Sequence, residues 1–229
     1  MIEALATWQP LLLTFYLSAV TTSILLLICI PGGWLFLKLP DRFRTPMEAV
    51  IALPIVLPPS VLGFYLLMIL SPEGPLGRLS SAFGGPALAF TFEGLVIGSV
   101  FYSLPFVMQP IVSSYSQVPQ QALQLSSSLG AKPWDRFTSV VLPMSRRGIL
   151  TGAILGFAHT LGEFGVVLMI GGNIPGETRV VSIAIYDHVE ALEYQSAHLL
   201  SAVLLGLSLG ILMLISFLNR GRSIGVRNV

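Results

Sequence analysis

From Leu11 to Leu37 the chain runs without a single charged side chain, and that stretch decides the solvent in which the protein folds. A helix needs about 20 mainly apolar residues to cross the hydrocarbon core of a bilayer. Four further segments meet the requirement: Glu48–Leu70, Phe92–Ser114, Gly148–Ile170 and Ala197–Leu218. Only 10% of the residues are charged, where soluble domains carry about 25%. Backbone polar groups in lipid must be satisfied within the segment, which leaves helices as the spanning form. The expectation is an all-α integral membrane protein: one domain over residues 1–229, with about five transmembrane helices at 11–37, 48–70, 92–114, 148–170 and 197–218. The opening MIEALATWQP lacks a basic region, so the first run reads as a retained anchor. A net charge of +1 gives no bulk field for nucleic acid. Cys29, the one cysteine, lies inside an apolar run and reads as packing.

Basic residues gather on the cytoplasmic side of membrane proteins. Lys38, Arg42 and Arg44 follow the first span, Lys132, Arg136, Arg146 and Arg147 lie between the third and fourth, and Arg220, Arg222 and Arg227 follow the fifth. Arg78 and Arg179 alone fall in the alternate loops. The N-terminus is therefore expected outside and the C-terminus in the cytoplasm.

That orientation puts a polar stretch, Gln117 to Pro143, in the cytoplasm. Pro119 opens a helix and Gly130 ends it as a left-handed cap. Ala122, Leu125 and Leu129 make a narrow apolar stripe. Pro133 opens a second short helix carrying Trp134, Phe137 and Val141. Two amphipathic helices about a glycine suit a docking knob for a soluble partner, and equally a loop lying along the bilayer surface.

Helix breakers mark the spans: Pro31-Gly32-Gly33 in the first, Pro54 with Pro58-Pro59 in the second, Pro105 and Pro110 in the third. Freed carbonyls are tolerated where a neighbour or a water-lined cavity satisfies them, so kinked helices around a conduit are expected. Gly152/Gly156 and Gly206/Gly210 stand four apart and allow close helix approach, within the bundle or at a subunit interface. The fourth span holds the most polar intramembrane stretch, His159-Thr160-Leu161-Gly162-Glu163-Phe164-Gly165. Ionisable groups at such depth are functional candidates. His159 and Glu163 are four apart on one expected helix face and could pair. Glu163 is read as facing a neighbouring helix, in a structural role. No phosphate-binding loop, nucleophile elbow or clustered metal ligands occur, so neither a catalytic nor a metal site is expected.

Several motifs resemble a known family. The loop is similar to the EAA-x3-G-x9-I-x-LP loop by which permeases of ABC importers engage their ATPase. Gly130, Val140, Leu142 and Pro143 fall at that spacing, with Ala131 beside the glycine, while Gln124-Leu125-Ser126 stands in place of Glu-Ala-Ala. LPIVLPPSVLGFYLL (Leu53–Leu67), Gly74-Pro75-Leu76-Gly77, LGEFG and GNIPGETR (Gly172–Arg179) resemble the molybdate/tungstate branch of the sulfate-type permeases. The match runs from about Ala49 to Tyr186. LGEFG also fits sulfate and thiosulfate permeases; NIPGETR favours molybdate. Relatives usually carry Arg where this chain has His159, so any charge that Arg supplies becomes pH-dependent here.

The resemblance implies a type I ABC importer permease in a prokaryotic plasma membrane. Two copies of the chain would form the pathway, with two ATPase subunits below and a binding protein delivering the oxyanion from outside. ATP and Mg would sit on the ATPase, with no cofactor on this chain. No Lys or Arg lies in any expected span, so passage would rest on the hydroxyls of Ser99, Ser103 and Thr160 and on backbone N–H groups. Asn173, Pro175, Gly176, Glu177, Thr178 and Arg179 form the expected contact with the binding protein. The rival readings are another anion (sulfate, thiosulfate or tungstate), a membrane enzyme using His159 and Glu163, and a channel or secondary carrier.

Overall fold

The computed structural model describes residues 2–220; Arg222 and Arg227, counted above among the cytoplasmic charges, lie outside them. The chain folds as helices α1 (Ile2–Phe36), α2 (Asp41–Val56), α3 (Pro59–Leu70), α4 (Pro75–Ala82), α5 (Phe92–Ser116), α6 (Gln120–Ser128) and α7 (Pro133–Arg136). A π-helical turn (Phe137–Val141) leads to α8 (Leu142–Met144), α9 (Arg146–Leu161), α10 (Gly165–Gly171), α11 (Val181–Glu190) and α12 (Tyr194–Arg220). Trp8–Phe36, Pro59–Ala82, Phe92–Ser116 and Tyr194–Leu214 are long and apolar enough to cross a membrane. Counting the bent unit of Pro133–Met144 and Arg146–Leu161 gives five.

Helices α1, α5 and α9 pack against one another to form the centre. Leu25, Cys29, Phe36, Val107, Ile111 and Tyr115 are buried there. Apolar surface alone does not press helices together in lipid, so close backbone approach must do so. A methyl added at Gly148 would stand 2.2 Å from Ser114 Cβ, at Gly152 2.9 Å from the Val107 carbonyl, and at Gly156 2.4 Å from Val107 Cγ2. These glycines are the groove into which α5 fits. Gly206 and Gly210 on α12 meet nothing within 4 Å.

The prolines divide by context. Pro31 lies within a continuous α1, as do Pro54 in α2 and Pro105 and Pro110 in α5, so the expected interruption at Pro31-Gly32-Gly33 does not occur. Gly33 instead lets α5 approach, with Ile111 and Tyr115 side chains 3.2 and 3.3 Å from where a Cβ would be. Only Pro58-Pro59 breaks a helix: Leu57 and Pro58 are both extended, at ψ 138 and 134. Each precedes a proline, and that position is driven out of the α region.

The expected continuous fourth span is also broken. Helix α9 ends at Leu161, the chain turns through Gly162–Phe164, and α10 resumes at Gly165. Helix α10 packs on α3 and α5, while α11 packs on α12 and α1. Thr14 of α1 joins the latter pair: its Oγ1 donates to the Pro10 carbonyl at 2.6 Å and accepts from Val181 N–H at 2.8 Å, satisfying the first turn of α11.

Candidate functional site

The two breaks face each other. Gly165, opening α10, lies so near α3 that a Cβ would stand 2.8 Å from Pro59 Cβ. Around this crossing is a cleft of about 600 Å³ lined by Pro59, Ser60, Tyr102, His159, Gly162, Glu163, Phe164 and Gly165. From Arg146 to His159 is about 20 Å of helix, so a bilayer with Arg146 at its surface would hold the cleft within its hydrocarbon layer. Irregular backbone at that depth is tolerated where it lines a cavity.

His159 forms one wall. Its ring stacks on Phe106 at 3.8 Å between centroids and lies 4.7 Å from Tyr102. Its Nδ1 is 2.9 Å from Ser103 Oγ, and Ser103 Oγ is 3.0 Å from Thr160 Oγ1, which donates to the Gly156 carbonyl at 3.0 Å. Ser99, Ser103 and Thr160, expected to line the passage, are buried within the chain; Ser103 and Thr160 meet between α5 and α9, and Ser99 Oγ makes no hydrogen bond. Hydroxyls inside an apolar bundle satisfy one another or a carbonyl, and that need removes Ser103 and Thr160 from the cleft surface.

Glu163 is 4% exposed, and neither carboxyl oxygen has a hydrogen-bond partner. Ser99 lies beside the carboxyl, outside hydrogen-bond geometry. The pairing of His159 with Glu163 that the spacing allows is not formed. Helix α9 stops between them, so the four-residue spacing no longer places both on one face. Ser182 Oγ donates to the Glu163 main-chain carbonyl at 2.6 Å, tying the turn to α11.

The Gln117–Pro143 loop is a second site, and the helical unit Pro133–Met144 that ends it is bent 71° from α9. Gly130 adopts φ +84, and the bonds Gly130 N–H to Ser127 O (2.9 Å) and Ala131 N–H to Ser126 O (3.0 Å) close α6 as a Schellman cap. Asp135 accepts from Lys132 N–H at 3.2 Å, and Arg136 Nη1 donates to Ser127 Oγ at 2.8 Å, fixing α7 against α6. Gln124, Leu125, Leu129 and Trp134 are exposed, Leu129 to 81%. Phe137 and Val141 are buried, with Val140 and Leu142 packed beside them and Pro143 at the surface. Phe137 sits among Trp34, Tyr115 and Trp134 at ring distances of 5.8, 6.0 and 5.3 Å. The loop is thus rooted in the α1–α5 core and presents an apolar outer face.

At the other end, Gly172–Arg179 folds back on itself. Thr178, fully buried, donates to Gly171 O at 2.7 Å and accepts from Ile174 N–H at 3.1 Å, so its side chain is unavailable to a partner. Arg179 pairs with Asp187 at 2.5 Å, and Asn173 Nδ2 donates to the same oxygen at 2.7 Å. Asn173, Pro175, Gly176 and Glu177 remain on the surface. Nearby, Tyr186 donates to Glu190 at 2.5 Å, and that bond holds its phenol above the ordinary tyrosine range.

Residues 24–221 match the family model described as the binding-protein-dependent transport system inner membrane component. The chain belongs to that family. Among relatives of this transport family, the molybdenum transport permease ModB of Azotobacter vinelandii is 53% identical over 189 residues, covering 82% of this chain and 84% of that protein. A probable sulfate transport permease of Anthoceros angustus is 30% identical, covering 92% and 74%. In fold, the chain matches the solved bacterial alginate ABC transporter in complex with its oligosaccharide-bound periplasmic protein, at TM-score 0.71 and 17% identity, covering 95% and 78%. The architecture is therefore that of a type I ABC importer permease, a multi-pass inner-membrane protein. Membership of the transport family, with His159 bonded to Ser103 and not to Glu163, sets aside the membrane-enzyme reading.

Proposed function

We propose that this chain is the molybdate permease of an ABC importer. Its 53% identity to a molybdenum transport permease over most of both chains carries the reading. Two copies would enclose the pathway, and a separate ATPase would dock on the exposed Leu125, Leu129 and Trp134 of the Gln117–Pro143 loop. ATP and Mg would be held by that ATPase. A binding protein would meet the outer surface at Asn173, Pro175, Gly176 and Glu177. The basic residues support a cytoplasmic C-terminus and an external N-terminus.

The geometry supplies a route for the coupling. The Schellman cap and the Arg136–Ser127 bond make α6 and α7 one body, and Phe137 plugs that body into α1 and α5. Closure of two ATPases would move the loops together, and the rigid root would pass the displacement to α5 and α9, whose interface lies beside the cleft. The cleft, where two helices break at one depth, is the place for the anion to pass. Its lining has hydroxyl, imidazole and backbone groups, the covered carboxyl of Glu163 and no lysine or arginine, which suits brief contact rather than tight holding.

ATP-dependent uptake of labelled molybdate into vesicles holding permease, ATPase and binding protein tests the reading. Competition by tungstate and not by excess sulfate is expected. Equal competition by sulfate would transfer the assignment to the sulfate reading, which the 30% identical sulfate relative supports. Absence of uptake of any oxyanion by the assembled complex would overturn the importer itself.

A further inference from the structure

The hydrogen-bond chain behind His159 has a direction. Thr160 has one hydroxyl proton, and it goes to the Gly156 carbonyl. The 3.0 Å contact with Ser103 must then be donated by Ser103. That uses the only proton of Ser103, so its 2.9 Å contact with His159 can be made only by a proton on Nδ1. The sequence Nδ1–H to Ser103, Ser103 to Thr160 and Thr160 to Gly156 O fixes both ring orientation and tautomer. A neutral His159 consequently carries its lone pair on Nε2, and the residue lines the cleft. Taking up a proton leaves the chain intact, since Nδ1 donates in either state, and turns Nε2 from acceptor into cationic donor.

An oxyanion brings only acceptor oxygens and negative charge. It repels the lone pair and pairs with the N–H. We propose that His159 is a proton-gated anion contact of the transport pathway: the anion is held in the cleft only while Nε2 carries a proton drawn from the water in the cleft. The inference rests on the importer reading. Glu163 and Tyr102 are the titratable groups that face His159 across the cleft; α1 and α12, which also pack on α9, add no residue to its lining among the described residues. The Glu163 oxygens are covered although the residue lines the cleft, whereas the His159 ring is only partly buried.

The test compares reconstituted wild-type importer with H159R and H159Q, each quantified in the membrane and checked for retained ATPase. Molybdate uptake is measured from about pH 5.5 to about pH 8.5. Taking the ratio of wild type to H159R at each pH cancels the responses of the ATPase and binding protein. That ratio is expected to fall with rising pH, approaching about tenfold per unit once the imidazole is largely neutral, because one proton is required. H159Q is expected to be slow, with a ratio to H159R that does not vary with pH. A flat wild-type ratio, or H159Q matching wild type throughout, overturns the inference while leaving the importer standing. Uptake absent from every form at every pH removes both. A second measurement does not depend on the variants assembling. Replacing the outer His188 and His198 leaves His159 as the single histidine, and its nitrogen spectrum at high pH is expected to show the Nδ1–H form. An Nε2–H form would overturn the relay.

Discussion

Gly156 and Thr178 show how little a side chain need do to be indispensable in lipid. Adding a methyl at Gly156 drives it to 2.4 Å from Val107 Cγ2, and overpacking of this kind costs about 1–3 kcal/mol. G156A is expected to lower the melting temperature of the detergent-solubilised chain, and V107A to restore part of the loss in the double variant. G206A, with nothing within 4 Å, is expected to leave the melting temperature of the isolated chain unchanged. T178V leaves the Gly171 carbonyl and the Ile174 N–H without their partner, at about 1–3 kcal/mol for each group left buried and unpaired. Its measurable effect should be faster proteolysis between Gly172 and Arg179. Neither glycine pair announces its partner in the sequence: the four-residue spacing is identical, and only the tertiary arrangement puts one against α5 and leaves the other open.

Helices were legible where the apolar run was long and misjudged where a break had to be located. Hydropathy alone gives α1, α5 and α12 to within a few residues at most ends. Proline by itself does not give the breaks, because a single proline forfeits one backbone bond that a long helix tolerates. Two in succession force two extended residues, as at Leu57-Pro58. The α9–α10 break has a subtler signal, the glycines at 162 and 165 flanking Glu163; a continuous-helix reading leaves His159 and Glu163 on one face, and the turn separates them. The cap at Gly130 was legible, since a left-handed residue after a short helix is nearly a glycine signature. G130A therefore has a defined cost, about 1–2 kcal/mol for a Cβ in the left-handed region. It is expected to reduce ATP-driven uptake with less effect on the amount of chain in the membrane. G130N, which tolerates that conformation better, should recover part of the uptake. L129D should abolish co-purification with the ATPase while leaving the melting temperature within about 1 °C, since an exposed site makes few contacts to lose.

For the molecule as a whole, orientation in the membrane and assembly of copies can both be read through thiol labelling. Cys29 is 1% exposed within the α1–α5 core, so thiol reagents have no native target until one is introduced. E177C is expected to react with a membrane-impermeant maleimide from outside intact cells, and K132C only after the membrane is opened; the reverse pattern would invert the topology. The same burial has a metrological consequence. A single spin label per chain gives no distance in a monomer and one distance between copies in a two-fold assembly. Placed at Gln124 and followed through the ATP cycle, that distance would read the approach of the two cytoplasmic loops directly, without deleting a native thiol first.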